Sequence, residues 1–273
     1  MSVINTNVKS LIAQQSLAVN NRTLSKTMEQ LSTGKRINGA ADDAAGLAIS
    51  NKMTAQIRGL NQAVRNANDA VSMIQTAEGS LDQVTNMLQR MRELAVQASN
   101  GTYSTTDRAA LDTEYSALES EITRISDKTT WNGVALTGAG AAATSFQVGN
   151  ATGDQVALTF VDVDAATGVA SSIAGGVATI AAAASAITHI DDAITTIGTY
   201  RSTLGSMVNR LTYAADNLTN VSTNTAASRS RISDTDYAAA TTELARSQII
   251  QQAATAMLAQ ANQGPSSVLS LLQ

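Results

Sequence analysis

A seven-residue apolar repeat in the first half of the chain restricts what the chain can fold into. Apolar residues recur there at alternating steps of three and four. This narrow spacing is typical of a coiled-coil seam rather than of the broader stripe on a globular helix. The members of the seam are Ile57, Leu60, Val64, Ala67, Val71, Ile74, Leu81, Leu88, Met91 and Ala95. The pattern predicts one long helix that packs lengthwise against other helices.

Signals at both ends of the repeat set the length of this helix. Asp42 and Asp43 can cap its start, and Asn100-Gly101 can end it. A helix over residues 43–99 is about 85 Å long at about 1.5 Å per residue. A compact globule formed by a chain of this size is only about 50 Å across. We therefore predict a mainly α fold in the form of an elongated rod of long coiled-coil helices.

Two further segments continue the same period. A shorter helix is predicted from Leu111 to Ile125, and residues 104–107 form a capping-box sequence before it. A second long seam runs from Ile187 to Leu218. Arg201 occupies one position of that seam, which indicates either a solvated gap or a partner that sets the register.

Both ends of the chain are predicted to be helical arms that pair with each other. The C-terminal arm runs from Tyr237 to Ala261 and is expected to end at Gly264-Pro265. Paired terminal arms have few neighbours in a monomer, so other copies of the chain must cover their apolar faces. The Asn and Gln side chains on the arms fit a solvated surface or hydrogen-bonded subunit packing equally well. The expected assembly residues are Ile4, Val8, Leu11, Leu244, Leu258, Val268, Leu269, Leu271 and Leu272.

The middle of the chain differs from its ends. Apolar residues alternate at period two from Phe146 to Phe160, which predicts a small β-hairpin. The expected organisation has three parts. Residues 1–42 and 234–273 form the paired arms, residues 43–140 and 182–233 form a helical rod domain, and residues 141–181 form a short variable insert.

Composition argues against catalysis and against several kinds of partner. The chain has no Cys, one His and 3% aromatic residues, and its net charge is −4. It therefore has no thiolate site, and His189 has no clustered partner for a metal or for a nucleophile. The paired acids Asp191-Asp192 are expected to mark a helix start. We predict no enzyme activity, cofactor, metal, nucleic-acid partner or membrane insertion.

Long strings at both ends resemble the bacterial flagellin family. LSTGKRINGAADDAAGLAIS (31–50), GLNQAVRNANDAVSMIQTAEGSL (59–81) and LQRMRELAVQASNGT (88–102) are similar to its N-terminal part. SRSRISDTDYAAATTELARSQIIQQAATAMLAQANQGPSSVLSLL (228–272) is similar to its C-terminal part. The resemblance implies a secreted structural subunit that self-assembles into the hollow helical filament of the bacterial flagellum. A flagellin-like hook–filament junction protein is the alternative.

The resemblance also implies partners. Members of the family are exported unfolded by a flagellar type III apparatus, and an export chaperone holds the C-terminal arm, here residues 244–272. Hook-junction and filament-cap proteins are expected at the two ends of the filament. Flagellins recognised by the vertebrate flagellin-sensing Toll-like receptor share three residues, which correspond here to Arg90, Leu94 and Glu114.

Overall fold

The computed structural model describes the backbone of residues 6–163 and 173–269, and the side chains of these residues as far as residue 263. Long helices dominate these ranges, in agreement with the predicted mainly α fold. The elements are α1 (Val8–Thr33), α2 (Ala44–Ala98), α3 (Thr105–Lys128), β1 (Thr130–Trp131), β2 (Val134–Ala135), β3 (Ala143–Gln147), β4 (Gln155–Thr159), α4 (Ile180–Ser233) and α5 (Tyr237–Leu269). The chain divides into two compact units, one formed by Arg58–Ser222 and the other by Met1–Ile57 with Thr223–Gln273.

Helix α2 begins and ends within one residue of the prediction. The Asp43 carboxylate accepts a hydrogen bond from the Gly46 amide at 2.8 Å and so caps the first turn. Asp42 has a different role, because its carboxylate accepts from the amides of Asn38 and Gly39 at 3.1 and 3.2 Å. Asp42 thus holds the loop before the helix, and Asp43 is the cap.

The predicted seam forms the buried face of α2 in the unit of residues 58–222. Leu81, Leu88 and Met91 are fully buried there. They pack in one core with residues of α3, of α4 and of the central segment, among them Tyr115, Ile122, Phe160, Ile190, Ile197 and Leu204. Burial of each large aliphatic side chain contributes roughly 1.5–3 kcal/mol. This unit therefore has an apolar core of its own.

Charged contacts join α2 to α4. The Arg201 guanidinium lies 3.1 Å from Asp82 and 3.7 Å from Glu78, so of the two alternatives for this seam position the structure shows a partner. Arg92 binds Asp191 at 2.7 Å, and this ion pair lowers the pKa of the aspartate. The cations and anions alternate between the two helices and align them along their length.

The prediction that Asp191-Asp192 starts a helix is wrong. Both residues lie well inside α4. The helix begins earlier because the Thr179 hydroxyl accepts a hydrogen bond from the Ala182 amide at 3.2 Å and so supplies a cap upstream of the acids.

Helix α3 is fixed to the end of α2 by a buried arginine. Ser104 and Asp107 form the expected capping box at its start. Arg108 is 7% exposed, and its guanidinium donates to the carbonyls of Ala98 at 2.9 Å and Asn100 at 3.3 Å. Its charge thus sits at the negative end of the α2 dipole and satisfies carbonyls that the helix leaves free.

The expected central hairpin is confirmed. Strands β3 and β4 pair antiparallel, and Phe146 lies opposite Val156. Alternate residues of β4 are buried, as the period-two pattern requires. The hairpin packs on α2, where the Asn66 amide donates to the Gln147 carbonyl at 3.1 Å. Strands β1 and β2 form a second, smaller hairpin.

The prediction that Gly264-Pro265 ends the last helix is wrong, because α5 continues through this pair to Leu269. A proline inside a helix has no amide hydrogen for the carbonyl four residues earlier, which here belongs to Ala261. Asn7 supplies the missing donor, since its Nδ2 lies 2.8 Å from that carbonyl oxygen. A side chain distant in sequence thus offsets part of the cost of the proline.

Within residues 6–163 and 173–269, no helix is both long and apolar enough to cross a membrane.

Candidate self-assembly surface

Helices α1 and α5 form an antiparallel pair, called the arm pair below. Hydrogen bonds from side chains to backbone carbonyls link them at three levels. Asn7 donates to Ala261 at 2.8 Å, Asn20 donates to the Ser247 carbonyl at 2.9 Å, and Tyr237 donates to the Leu31 carbonyl at 3.3 Å. The residue number falls on α5 as it rises on α1, so the helices run in opposite directions.

Small and polar residues occupy the most buried positions on the inward side of the arm pair. The buried residues of α1 are Ser10, Asn20 and Thr27, which are 7%, 8% and 5% exposed. On α5, Ser247 is buried at 1% exposure. The seam also contains Leu17, Leu24, Leu244 and Leu258, but these leucines are only half-buried. Such a seam gives less hydrophobic stabilisation than a fully buried leucine seam, since that stabilisation scales with the apolar area removed from water.

The exposed surface of the arm pair carries several large apolar side chains among polar ones, and we call this apolar set the outer face. Its members are between 45% and 66% exposed. They are Val8, Leu11, Ile12, Val19 and Met28 on α1, and Ile249, Ile250 and Met257 on α5. So many large apolar side chains on two thin helices indicate a surface that other molecules cover.

The predicted assembly residues divide between these two sides. Val8 and Leu11 belong to the outer face, whereas Leu244 and Leu258 are half-buried and do not. The other five predicted residues cannot be located. Ile4, Leu271 and Leu272 lie outside the described residues, and so do the side chains of Val268 and Leu269.

Sequence reasoning missed Asn20 and Ser247 as contact residues between the arms. It weighed amide side chains as solvated groups or as contacts between subunits, and three of them act within the chain instead. Besides Asn7 and Asn20, Gln251 donates to Asn21 at 3.2 Å. A signal was available, because Ser10, Ala13, Leu17, Asn20, Leu24 and Thr27 follow steps of three and four.

Two of the three residues that the resemblance assigned to a receptor lie together on the surface. The Arg90 guanidinium bridges Glu114 on α3 and Glu93 on α2, each at 2.9 Å. Hydrogen bonds to two carboxylates raise the pKa of Arg90, and the bond to Glu93 contributes more than the bond to Glu114. Leu94, in contrast, is 1% exposed and belongs to the core. Its side chain supports the helix beneath Arg90 and offers no contact surface in this state.

Groups that could carry out chemistry are dispersed. His189 is exposed on α4. Among the residues that the structure describes, no group of three or more His, Asp or Glu side chains is placed to hold a metal ion.

Family models match most of the chain. Residues 4–139 match the bacterial flagellin N-terminal helical region, and residues 187–272 match the bacterial flagellin C-terminal helical region. The matched residues include α1, α2, α3 and α5 and most of α4.

Full-length relatives give the same result. A flagellin from Halalkalibacterium halodurans is 46% identical over 271 residues, which cover 99% of this chain and all of that protein. Flagellin B from Vibrio cholerae is 36% identical, with 98% of this chain and 99% of that protein covered. That alignment extends over 371 positions, so the Vibrio protein is longer.

Solved structures include flagellar proteins of two kinds. The crystal structure of a Bacillus cereus flagellin matches 60% of this chain and 94% of its own, with a TM-score of 0.52 and 36% identity. A flagellar hook-associated protein from Vibrio parahaemolyticus matches 71% of this chain and all of its own, with a TM-score of 0.63. At 16% identity, the second likeness shows the fold alone.

Proposed function

The chain belongs to the bacterial flagellin family, and from this premise we propose that the outer face of its arm pair carries the contacts between subunits. The protein is a structural subunit of the extracellular flagellar filament. The hook–filament junction alternative is weaker, since its support is a likeness at 16% identity.

The observation that carries the proposal is the exposure of the outer face. Ile12 and Ile249 are 59% and 66% exposed, while neighbouring polar residues are buried. Association of copies through this face removes apolar area from water at about 25 cal/mol per Å². The gain repeats with each added copy, so it favours a polymer whose interior is lined by arms.

We assign the remaining parts of the chain as the sequence suggested. Residues 1–42 and 234–273 serve as the inner arms, residues 43–140 and 182–233 as the rod domain, and residues 141–181 as a short variable insert. Support comes from the seam residues Leu81, Leu88 and Ile197, which already have an intramolecular core and need no second copy.

Seeded polymerisation tests the role of the outer face. Purified chain is mixed with short filament seeds, and growth is followed by sedimentation and negative-stain electron microscopy. Ile12→Gln and Ile249→Gln each replace an exposed isoleucine, so we expect unfolding of the isolated chain to be unchanged and filament growth to be lost. Ile180→Gln is the matched control, since Ile180 is 48% exposed and lies outside the arms.

Two outcomes would contradict the proposal. Normal growth of both arm variants would place the subunit contacts elsewhere. A wild-type chain that stays monomeric with seeds present would favour the junction protein. Removal of residues 1–30 or 244–273 should also abolish growth, because either deletion removes the outer-face residues of one arm.

We extend the proposal to the partners of the family. The chain is exported by the flagellar type III apparatus, with a chaperone on the C-terminal arm until assembly. Cap and hook-junction proteins then contact the ends of the filament. The exposed Ile249, Ile250 and Met257 support a chaperone site, because an apolar helix face needs a cover before copies meet. This role requires no catalytic step, and we propose that the protein is not an enzyme.

We propose recognition by the vertebrate flagellin-sensing Toll-like receptor at Arg90 and Glu114. Their side chains are 51% and 47% exposed, and the ion pair presents both charges together. Leu94 has a supporting role, since its side chain packs in the core.

A receptor reporter assay with monomeric protein tests this site. Arg90→Ala should reduce signalling strongly, whereas Arg124→Ala should not. Arg124 is the matched control because it is also exposed and paired, with Glu121 on α3 at 2.7 Å. Equal signalling by both variants would show that Arg90 does not contribute to receptor binding. If assembly covers the site, wild-type filaments should signal less than wild-type monomers.

A further inference from the structure

The apolar residues of the arm pair do not favour the register that the structure shows. Three hydrogen bonds from a side chain to a backbone carbonyl join the arms at residue numbers that sum to 267 or 268. The bond between the longer side chains of Gln251 and Asn21 is offset from this level by about one turn. In this register Leu24 lies level with Leu244, while Leu17 lies level with Gln251. A slip of one heptad would place Leu17 level with Leu258 and Leu31 level with Leu244. The slipped pair would have two leucine layers, where the observed pair has one.

The hydrogen bond of Asn20 does not favour one of these registers over the other either. Asn20 donates to the backbone carbonyl of Ser247, where a small side chain lets the amide approach. One heptad further along α5 the equivalent residue is Ala254, which is also small. The buried amide could therefore find an acceptor in either register.

The carbonyl of Ala261 is different from the other carbonyls in the interior of α5. Pro265 is the single proline of the chain, and its ring nitrogen has no hydrogen to donate to that carbonyl. Asn7 does so instead at 2.8 Å. Its Oδ1 meanwhile accepts from the Ser10 amide at 3.2 Å and caps α1. A slip of one heptad in either direction removes Asn7 from Ala261 and leaves a half-buried carbonyl without its donor.

We propose that Asn7 and Pro265 together specify the register in which the two arms pair. The proline creates a vacant acceptor at one position of α5, and the amide on the first turn of α1 fills it. Polar groups set register in coiled coils in the same manner, at some cost in stability. The inference concerns the arm pair of the proposed function, but it rests on the pairing of the arms within one chain.

Engineered cysteines can measure the register directly, because the natural chain has none. Ala13, Ala254 and Ala261 are half-buried residues of the arm seam. Ala13→Cys with Ala254→Cys reports the observed register, since their numbers sum to 267. Ala13→Cys with Ala261→Cys reports a slip of one heptad. Mild oxidation of the full chain, followed by denaturing electrophoresis and mass determination, gives the internal crosslink in each case.

Asn7→Asp is the informative variant. Aspartate keeps the cap on α1 but has no hydrogen to donate, and its charge faces the Ala261 carbonyl. We expect the ratio of slipped to native crosslink to rise by roughly tenfold, as the loss of one partly buried hydrogen bond would produce. Gln14→Glu is the matched control, because it makes the same change from amide to carboxylate at an exposed position of the same helix and should leave the ratio unchanged.

Pro265→Ala distinguishes an effect on the register of the arms from an effect on their stability. Alanine restores the amide hydrogen, so the Ala261 carbonyl no longer needs Asn7. In the Pro265→Ala background, Asn7→Asp should leave the crosslink ratio within about twofold of its parent, because the two substitutions are coupled. A variant that merely destabilised the arms would lose both crosslinks in both backgrounds.

Three results would overturn the inference. The first is an unchanged ratio in Asn7→Asp. The second is loss of both crosslinks in Asn7→Asp, which would make Asn7 a requirement for pairing itself. The third is an equal rise in both backgrounds. All are read from internal crosslinks, so they stand apart from filament growth. Native crosslinks in a chain that fails to polymerise would refute the proposed function and leave the register inference intact.

Discussion

The two compact units of the chain differ in which side chains they bury. In the unit of residues 58–222, Leu81, Leu88 and Ile197 are at most 1% exposed and form an apolar core. In the arm pair, Asn20 is buried while Ile12 is 59% exposed. The first arrangement is stable within one chain. The second leaves large apolar side chains in water, and under the proposed function these side chains are buried when copies meet. Stability and assembly would then be properties of different regions.

The largest expected effect tests this separation in the core. Leu88→Ala leaves a cavity in the fully buried seam of α2 and should lower the free energy of unfolding by about 2–5 kcal/mol. Leu11→Ala on the outer face should change it by less than about 0.5 kcal/mol and yet impair filament growth. Denaturant unfolding and seeded growth measure the two quantities. An equal change in the free energy of unfolding for both variants would show that the two regions do not differ in their contribution to stability.

A second effect concerns the junction of α2 and α3. Arg108→Ala leaves the carbonyls of Ala98 and Asn100 without their donor, which should cost about 1–3 kcal/mol. Arg124→Ala should cost less than about 0.5 kcal/mol, because that arginine is exposed and paired within its own helix. Amide exchange at the end of α2 is the measurement. Equal protection in the two variants would show that burial of Arg108 contributes nothing.

A smaller effect is expected when a buried polar residue of the arm pair is replaced by an apolar one, as in the core. Asn20→Leu replaces a buried amide by an apolar side chain, and we expect about 1 kcal/mol of additional stabilisation of the arm pair. Amide exchange of the isolated chain should slow in α1 and α5 and stay constant in α2. Faster exchange in the arms would show that the hydrogen bond to Ser247 is worth more than the apolar area gained.

The smallest effect is a difference in pH dependence. Hydrogen bonds from Lys26 and from the amides of Asn38 and Gly39 lower the pKa of Asp42 below its usual 3.8. Its contribution to the arm unit is therefore complete above pH 3.8 and is lost as the pH falls through the lowered value. Burial raises the pKa of Tyr115 from 10.0 to about 12. Its contribution is complete below pH 10 and is lost as the pH rises toward 12.

Amide exchange across the pH range, corrected for the intrinsic rate, should show arms that loosen first in acid and a core that loosens first in alkali. Asp42→Asn should reduce the acid dependence in the arms, and Tyr115→Phe should reduce the alkaline dependence in the core. A shared pH profile in both regions would indicate that one cooperative transition controls them.

The difference between the two regions also explains which features could be predicted from the sequence. The seam from Ile57 to Ala95 predicted α2 to within a residue, because a heptad repeat and its caps act over a few positions along the chain. The capping box at Ser104 and the hairpin register of Phe146 with Val156 depend on local signals too. The identity of the family followed from strings of residues at both ends.

Contacts between distant residues decided the rest. The helix continues through Pro265 because Asn7, 254 positions before Ala261, supplies a hydrogen bond that no local pattern contains. Arg90 is exposed and Leu94 is buried because α3 and α4 cover one side of α2 and leave the other open. The sequence by itself determined α2, α3, the central hairpin and the family, since these depend on local spacing and on strings of residues. The tertiary structure alone decided which side of each arm is buried, because that depends on the partner that the helix meets.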